Sequence, residues 1–141
     1  SDLSPDSFWR GITKVFFIRK YSDYDNREDG IPTLCMETMS GNAMAARCMV
    51  EGIEDMQFEF GIDTDADGVP ERYSNSPTTE EMSNAVTVRL YLLVRSVRAV
   101  SGWVDEKTYS LGRKVVTARR DGYLRRVFSA TVLLRNLGKP V

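Results

Sequence analysis

Residues 63–71, DTDADGVPE, set three carboxylates on alternate positions and follow them with a glycine. Carboxylates held that close repel one another unless water or a cation stands between them. A hard cation that takes six to eight oxygens fits the spacing, and Gly68 allows the sharp turn such a loop needs. The pattern is that of a calcium loop. Asp63, Asp65 and Asp67 would supply side-chain oxygens at loop positions one, three and five. Val69 would supply its backbone carbonyl at position seven, and Glu71 a direct or water-mediated oxygen at position nine. Position twelve, which carries a bidentate glutamate in the strongest loops, is Ser74 here. Further oxygens must therefore come from elsewhere, and Asn75, Glu80 and Glu81 are the nearest candidates in sequence. The missing bidentate ligand predicts weak binding, roughly 10⁻⁴–10⁻³ M. A solvated acidic turn is the alternative reading.

The two cysteines offer a second piece of chemistry. If Gly41 and Asn42 form a two-residue hairpin turn, residues whose numbers sum to 83 face each other, and Cys35 and Cys48 do so. Counting outward from Ser40 and Ala43, they land on a non-hydrogen-bonded pair, where Cα atoms approach to about 4.5 Å. That is within disulfide range. Closing such a loop would contribute about 3 kcal/mol and points to an oxidising compartment. Two buried free thiols are the alternative. Histidine does not occur in the sequence, which removes the commonest general base, the usual triads and most zinc sites. Phosphate loops, nucleophile elbows and Cys-based zinc spacings do not occur either, so no catalytic residues are assigned and the expectation is a protein that is not an enzyme.

The elements that must position these residues read as strands. In residues 53–62, Met56, Phe58, Phe60 and Ile62 fall on one face and Asp55, Gln57 and Glu59 on the other, the period of two of a sheet with one buried side. Residues 85–96 repeat the pattern, with Val86, Val88, Leu90, Leu92 and Val94 sharing a face and Leu93 as an exception opposite. Residues 12–20 are β-branched and aromatic, another strand. A last strand continues through residues 127–136, placing Phe128, Ala130, Val132 and Leu134 inward. Asp121-Gly122 is a two-residue turn signal between residues 115–120 and 123–126. Residues 107–111 are a short strand candidate, and residues 74–83 a polar connection. The loop at 21–30, with Asp23, Asp25 and Asp29, is expected to be solvated, since no glycine follows its close pair. Ser4, Pro5 and Asp6 would start a helical turn, and Phe8 and Trp9 would pack back on the domain. Met36, Met39, Met44, Met49 and Met56 are expected to fill core. With no long helix in view, the chain reads as a mainly β, antiparallel sheet domain of about seven strands, and its 141 residues as one domain, 1–141.

Charge is unevenly distributed. Residues 51–81 hold ten acids and one base, Arg72, while twelve bases and three acids follow from Arg89 onward. The basic charges alternate along strands, as on a solvated sheet face, so no nucleic acid partner is expected. The asymmetry suggests electrostatic complementarity, within the sheet or between neighbouring subunits. Trp103, Tyr109 and Tyr123 are the sequence's hint of a ligand surface.

Three blocks together resemble the C-terminal domain of the PilW family of type IV pilus minor pilins: VEGIEDMQFEFGIDTDADGVPERY (residues 50–73), AVTVRLYLLVRS (residues 85–96) and DGYLRRVFSATVLLRN (residues 121–136). A weaker similarity of the same order links it to minor pseudopilin J of type II secretion. The resemblance implies a non-enzymatic pilus subunit whose partners are other minor pilins and the major pilin, in a complex that primes pilus growth. The acidic segment at Asp63, Asp65, Asp67 and Gly68 matches the family's own. Members normally begin with a prepilin cleavage site and a long hydrophobic helix. Neither is in these residues, so the resemblance implies a truncation and a membrane contact made only through that missing helix. It also implies the periplasmic face of the inner membrane before assembly and the extracellular fibre afterwards. The alternative function is an adhesin-like module contacting a surface or ligand.

Overall fold

The computed structural model describes residues 13–40 and 43–134. The expected helical turn at residues 4–6 and the packing of Phe8 and Trp9 lie outside them. Nine strands and one short helix make up the described residues, in three antiparallel sheets. The first sheet orders as β1 (Lys14–Arg19), β2 (Thr33–Ser40) and β3 (Ala43–Glu51). The second orders as β5 (Arg72–Ser74), β4 (Ile53–Ile62), β6 (Ala85–Arg95) and β9 (Arg125–Leu133). β7 (Tyr109–Leu111) and β8 (Lys114–Val116) form a hairpin of their own. A five-residue helix, α1 (Thr79–Ser83), interrupts the polar connection, started by a capping box in which Thr78 and Glu81 bond each other's backbone N–H.

The hairpin register expected around residues 41–42 is observed. Ser40 faces Ala43, and the count holds out to Cys35 opposite Cys48, which form a disulfide with Cα atoms 3.9 Å apart. A bulge between Leu34 and Cys35 then shifts the pairing, so Leu34 faces Val50. Gly52 joins β3 to β4 and is stitched to both sheets. Its N–H donates to the Pro32 carbonyl at 2.7 Å, and its own carbonyl accepts from Arg95 N–H at 2.8 Å. Its φ of +83° and the Arg95 oxygen, 2.5 Å from where a Cβ would sit, leave room for glycine alone.

The second sheet corrects the sequence reading of its faces. Met56, Phe58 and Phe60 do share a side, but Phe58 is 38% exposed, Phe128 50% and Val132 54%; Ile62, past a register shift and opposite Ala85, is the one of the four that is fully buried. The buried side is the one patterned as polar. Leu93, the apparent exception on β6, is fully buried and packs with Leu111 and Val116 of the β7–β8 hairpin, with Tyr91, Tyr109 and Val127 around them. The cause is the hairpin, which answers the acids of β4 as it covers them. Lys114 pairs with Asp55 at 2.6 Å, and Glu59, 6% exposed, accepts from Arg113 N–H at 3.1 Å and from the Tyr91 hydroxyl at 3.3 Å. A buried carboxylate so partnered escapes most of the cost of leaving water. Of the five methionines expected in the core, Met39, Met44 and Met49 are exposed on the first sheet, while Met36 and Met56 are half-buried. The pairing of residues 115–120 with 123–126 across Asp121-Gly122 does not form either. β8 pairs back to β7 through a tight turn at Gly112 and Arg113, and the chain near Arg120 pairs with Asp105 instead.

One ionic cluster ties these parts together. Arg125, its side chain wholly buried, places all five N–H groups on carboxylate oxygens: two on Glu54, two on Asp121 and one on Asp105, at 2.6–3.0 Å. The Arg125 bonds hold the Asp121 carboxyl down at about 2. Burial pushes Asp105 upward, but its bonds to Arg125 and to the Tyr109 hydroxyl outweigh burial, and the net shift is down. Burial and Asp105 together push the Tyr109 phenol up to about 12. Arg125→Met should cost about 3–5 kcal/mol at neutral pH, because three carboxylates lose their shared cation. Both aspartates titrate below their unfolded value of about 3.9, so the stability they confer is full above that pH and is lost as pH falls toward about 2. Urea unfolding should therefore show the gap between Arg125→Met and the parent narrowing from pH 4 to pH 2; a constant gap would disprove the ionic account.

Candidate functional site

The acidic loop closes the β4–β5 hairpin. Its ends are pinned by Asp63 N–H donating to the Asn84 carbonyl at 2.9 Å and Glu71 N–H donating to the Ile62 carbonyl at 3.1 Å. Between them the loop is shaped by its own acids. Asp63, 7% exposed, accepts from Ala66 N–H at 2.6 Å and from Gly68 N–H at 2.8 Å. Asp65 accepts from Asp67 N–H at 3.2 Å, and Asp67 from Val69 N–H at 2.7 Å. Such Asx turns are the local bonds these residues favour. Ala66 and Gly68 both take positive φ, 66° and 89°, and the chain thereby turns tightly enough to aim successive side chains inward.

The structure brings together all four acids that the sequence singles out. One oxygen each from Asp63, Asp65, Asp67 and Glu71 lies within 4.8 Å of every other. Oxygens coordinating calcium at 2.3–2.6 Å are separated by no more than about twice that distance, so the donor set fits such an ion. Glu71 reaches across the loop, where Oε2 accepts from Thr64 N–H at 2.6 Å and from the Thr64 hydroxyl at 2.9 Å. These bonds, the backbone one first, lower its carboxyl below the ordinary range. Oδ2 of Asp65 and Oδ2 of Asp67 carry no hydrogen bond among the described residues. The Val69 carbonyl is the oxygen that position seven would use.

The outlying candidates do not join this set. Glu81 is taken twice over, by the capping box through Thr78 N–H at 2.9 Å and by Arg72. The Thr78 and Arg72 contacts hold its carboxyl below the ordinary range. Glu80 lies outside the cluster. The other aspartate loop behaves as expected of a solvated turn: Asp29 gathers N–H bonds from Ser22, Asp23 and Ile31 on its own oxygens. Of the aromatics, Tyr109 donates to Asp105 at 2.9 Å and Tyr123 lies under the Arg95 guanidinium at 3.8 Å. Both are therefore engaged inside the fold, and Trp103 is the more exposed of the three.

A second feature was hidden from sequence by the face reversal. The side of the β4–β6–β9 sheet bearing Met56, Phe58, Leu90, Leu92, Phe128 and Val132 is covered by no described residue to the extent of being buried. Phe58, Phe128 and Val132 are exposed on it, and Met56, Leu90 and Leu92 are half-buried. The expected charge complementarity is partly spent within the fold, since Glu54 meets Arg125 and Arg95, and Asp55 meets Lys114.

The family model described as Type IV Pilus-assembly protein W matches residues 15–136. No curated protein and no solved structure matches the chain.

Because Asp63 accepts from two backbone N–H groups of the loop, Asp63→Ala should lower stability by about 1–3 kcal/mol even in chelator. Urea unfolding in EDTA checks this. An unchanged midpoint there would mean that the loop is not held by its own hydrogen bonds.

Proposed function

The chain belongs to the PilW family of type IV pilus-assembly proteins, and on that premise we propose that it is the headpiece of a minor pilin, a non-catalytic subunit that acts by contact. The observation that carries this reading is the uncovered apolar side of the β4–β6–β9 sheet, with Phe58, Phe128 and Val132 exposed on it. A face left this open among the described residues is suited to packing against other subunits. On this reading the partners are other minor pilins and the major pilin, and the assembled complex primes pilus growth. Residues 1–141 act as a single headpiece domain. The Cys35–Cys48 disulfide supports an oxidising setting: the periplasmic face of the inner membrane before assembly, the extracellular fibre after it.

Residues 63–71 are read as a calcium loop within that headpiece, with Asp63, Asp65, Asp67, the Val69 carbonyl and Glu71 as ligands. Support comes from the mutual distances of the four acidic groups and from the carboxylate oxygens that carry no hydrogen bond. An ion there would relieve the repulsion among those acids and stiffen the turn between β4 and β5.

Two experiments test these statements. Calcium at millimolar concentration should raise the melting temperature of chelator-stripped protein. Asp65→Ala should abolish that rise while leaving the melting temperature in EDTA nearly unchanged, unlike the Asp63 variant. If millimolar calcium gives neither heat in titration calorimetry nor a thermal shift, the loop is a solvated turn. For assembly, the full chain should bind at least one soluble headpiece of the same pilus system, and Phe58→Glu should weaken binding without lowering the melting temperature. An absence of association with every headpiece at high micromolar concentration overturns the reading.

A further inference from the structure

β9 ends its sheet, with β6 on one side and no described strand on the other. Which of its backbone groups face outward follows from the bonds at its two ends. Leu134 N–H donates to the Val86 carbonyl and Ser96 N–H to the Leu124 carbonyl, both at 2.8 Å. Between them the register is unbroken, from Thr87 opposite Leu133 to Arg95 opposite Arg125. In an antiparallel ladder, bonded and non-bonded pairs alternate. Arg126, Phe128, Ala130 and Val132 are therefore spent on β6, while Val127, Ser129, Thr131 and Leu133 turn both N–H and C=O away from the sheet.

Edge strands are normally blunted by proline, inward charge, a bulge or great shortness. The sequence of β9, RRVFSATVL, has none of these past its second residue, and its pairing with β6 shows no register shift. Its side chains continue the uncovered apolar face to the very edge, through Phe128 and Val132. At the start of the strand Arg125 is consumed by its three carboxylates, whereas Arg126 is exposed and has no ion-pair partner among the described residues.

We propose that the β9 edge is a strand-addition site, filled by an extended segment of a neighbouring pilus subunit. The proposal rests on the assembly reading above and deepens it. Main-chain bonds from the four outward residues would supply binding strength, and the side chains would supply selection. The incoming strand sets apolar residues beside Phe128 and Val132, a small one beside Ala130, and a carboxylate beside Arg126. The charge at this end fixes the occupant's chemistry: an apolar strand with an acidic side chain at one end.

Thr131→Pro separates this site from the fold. Its N–H points outward, so proline there removes an edge donor and leaves the ladder to β6 intact. Val132→Pro, one residue on, breaks that ladder and serves as the control that loses melting temperature. The assay is binding of the full chain to the soluble headpieces of its pilus system, with amide exchange followed in the free and bound protein. Thr131→Pro should keep the parent's melting temperature and weaken binding by about tenfold or more, the loss expected from several edge bonds. Arg126→Glu should weaken it too, and the amides of Ser129 and Thr131 should exchange rapidly when free and slowly when bound. If the parent binds but Thr131→Pro binds equally well, the strand-addition site is wrong while the assembly reading stands. If no headpiece binds the parent, both fall. Self-association of the parent that Thr131→Pro removes would overturn the assigned occupant in favour of a second copy. Slow exchange of those amides in the free protein would overturn the open edge itself.

Discussion

Arg125 is the contact on which the arrangement of the second sheet rests. A guanidinium wholly out of water has no stable alternative to full hydrogen bonding, and its five donors are met by carboxylates from three separate stretches of chain: Glu54 on β4, Asp105 and Asp121. Because β4 and β9 are separated in the sheet by β6, the cluster spans across it and fixes the end where β4 begins. It also anchors the long connection that leads into the β7–β8 hairpin, since Asp105 receives Tyr109 of β7. A buried ion pair of this kind sets geometry more than it adds stability over an apolar substitute. Here it settles which side of the sheet the hairpin lies on.

From that placement the rest of the molecule's economy follows. The hairpin covers the side of β4 that carries Asp55 and Glu59 and neutralises each as it does so, and Leu93, Leu111 and Val116 become the packed centre. The opposite side, richer in large apolar residues, is left to be covered from outside the described residues. The packed centre and the more open apolar surface thereby lie on opposite faces of one sheet.

The acidic loop is organised by similar logic at smaller scale. Its carboxylates first satisfy the loop's own N–H groups, through Asp63, Asp65 and Asp67, and only then leave oxygens for a cation. Glu81 shows how a neighbouring acid is diverted: the capping box that starts α1 and the Arg72 contact claim both of its oxygens. The ion, on this reading, would tune a turn that already has its shape.

How much of this was legible in sequence depends on the range of the interaction concerned. Strand periodicity, the register that pairs Cys35 with Cys48, and the grouping of Asp63, Asp65, Asp67 and Glu71 are all set by residues within a few positions of a turn. Local spacing was therefore enough to find them. Period-two alternation also determined which residues share a face of β4, β6 and β9. It could not say which face is covered, because alternation is symmetric between the two sides. That choice was made by contacts more than fifty residues apart in sequence, Arg113 N–H to Glu59 and Arg125 to Glu54, which turn a nominally polar side into the buried one. The sequence alone determined the strands and the loop; only the tertiary structure decided that, among the described residues, the apolar face and the β9 edge are left open, because burial belongs to whatever the distant chain brings to cover it.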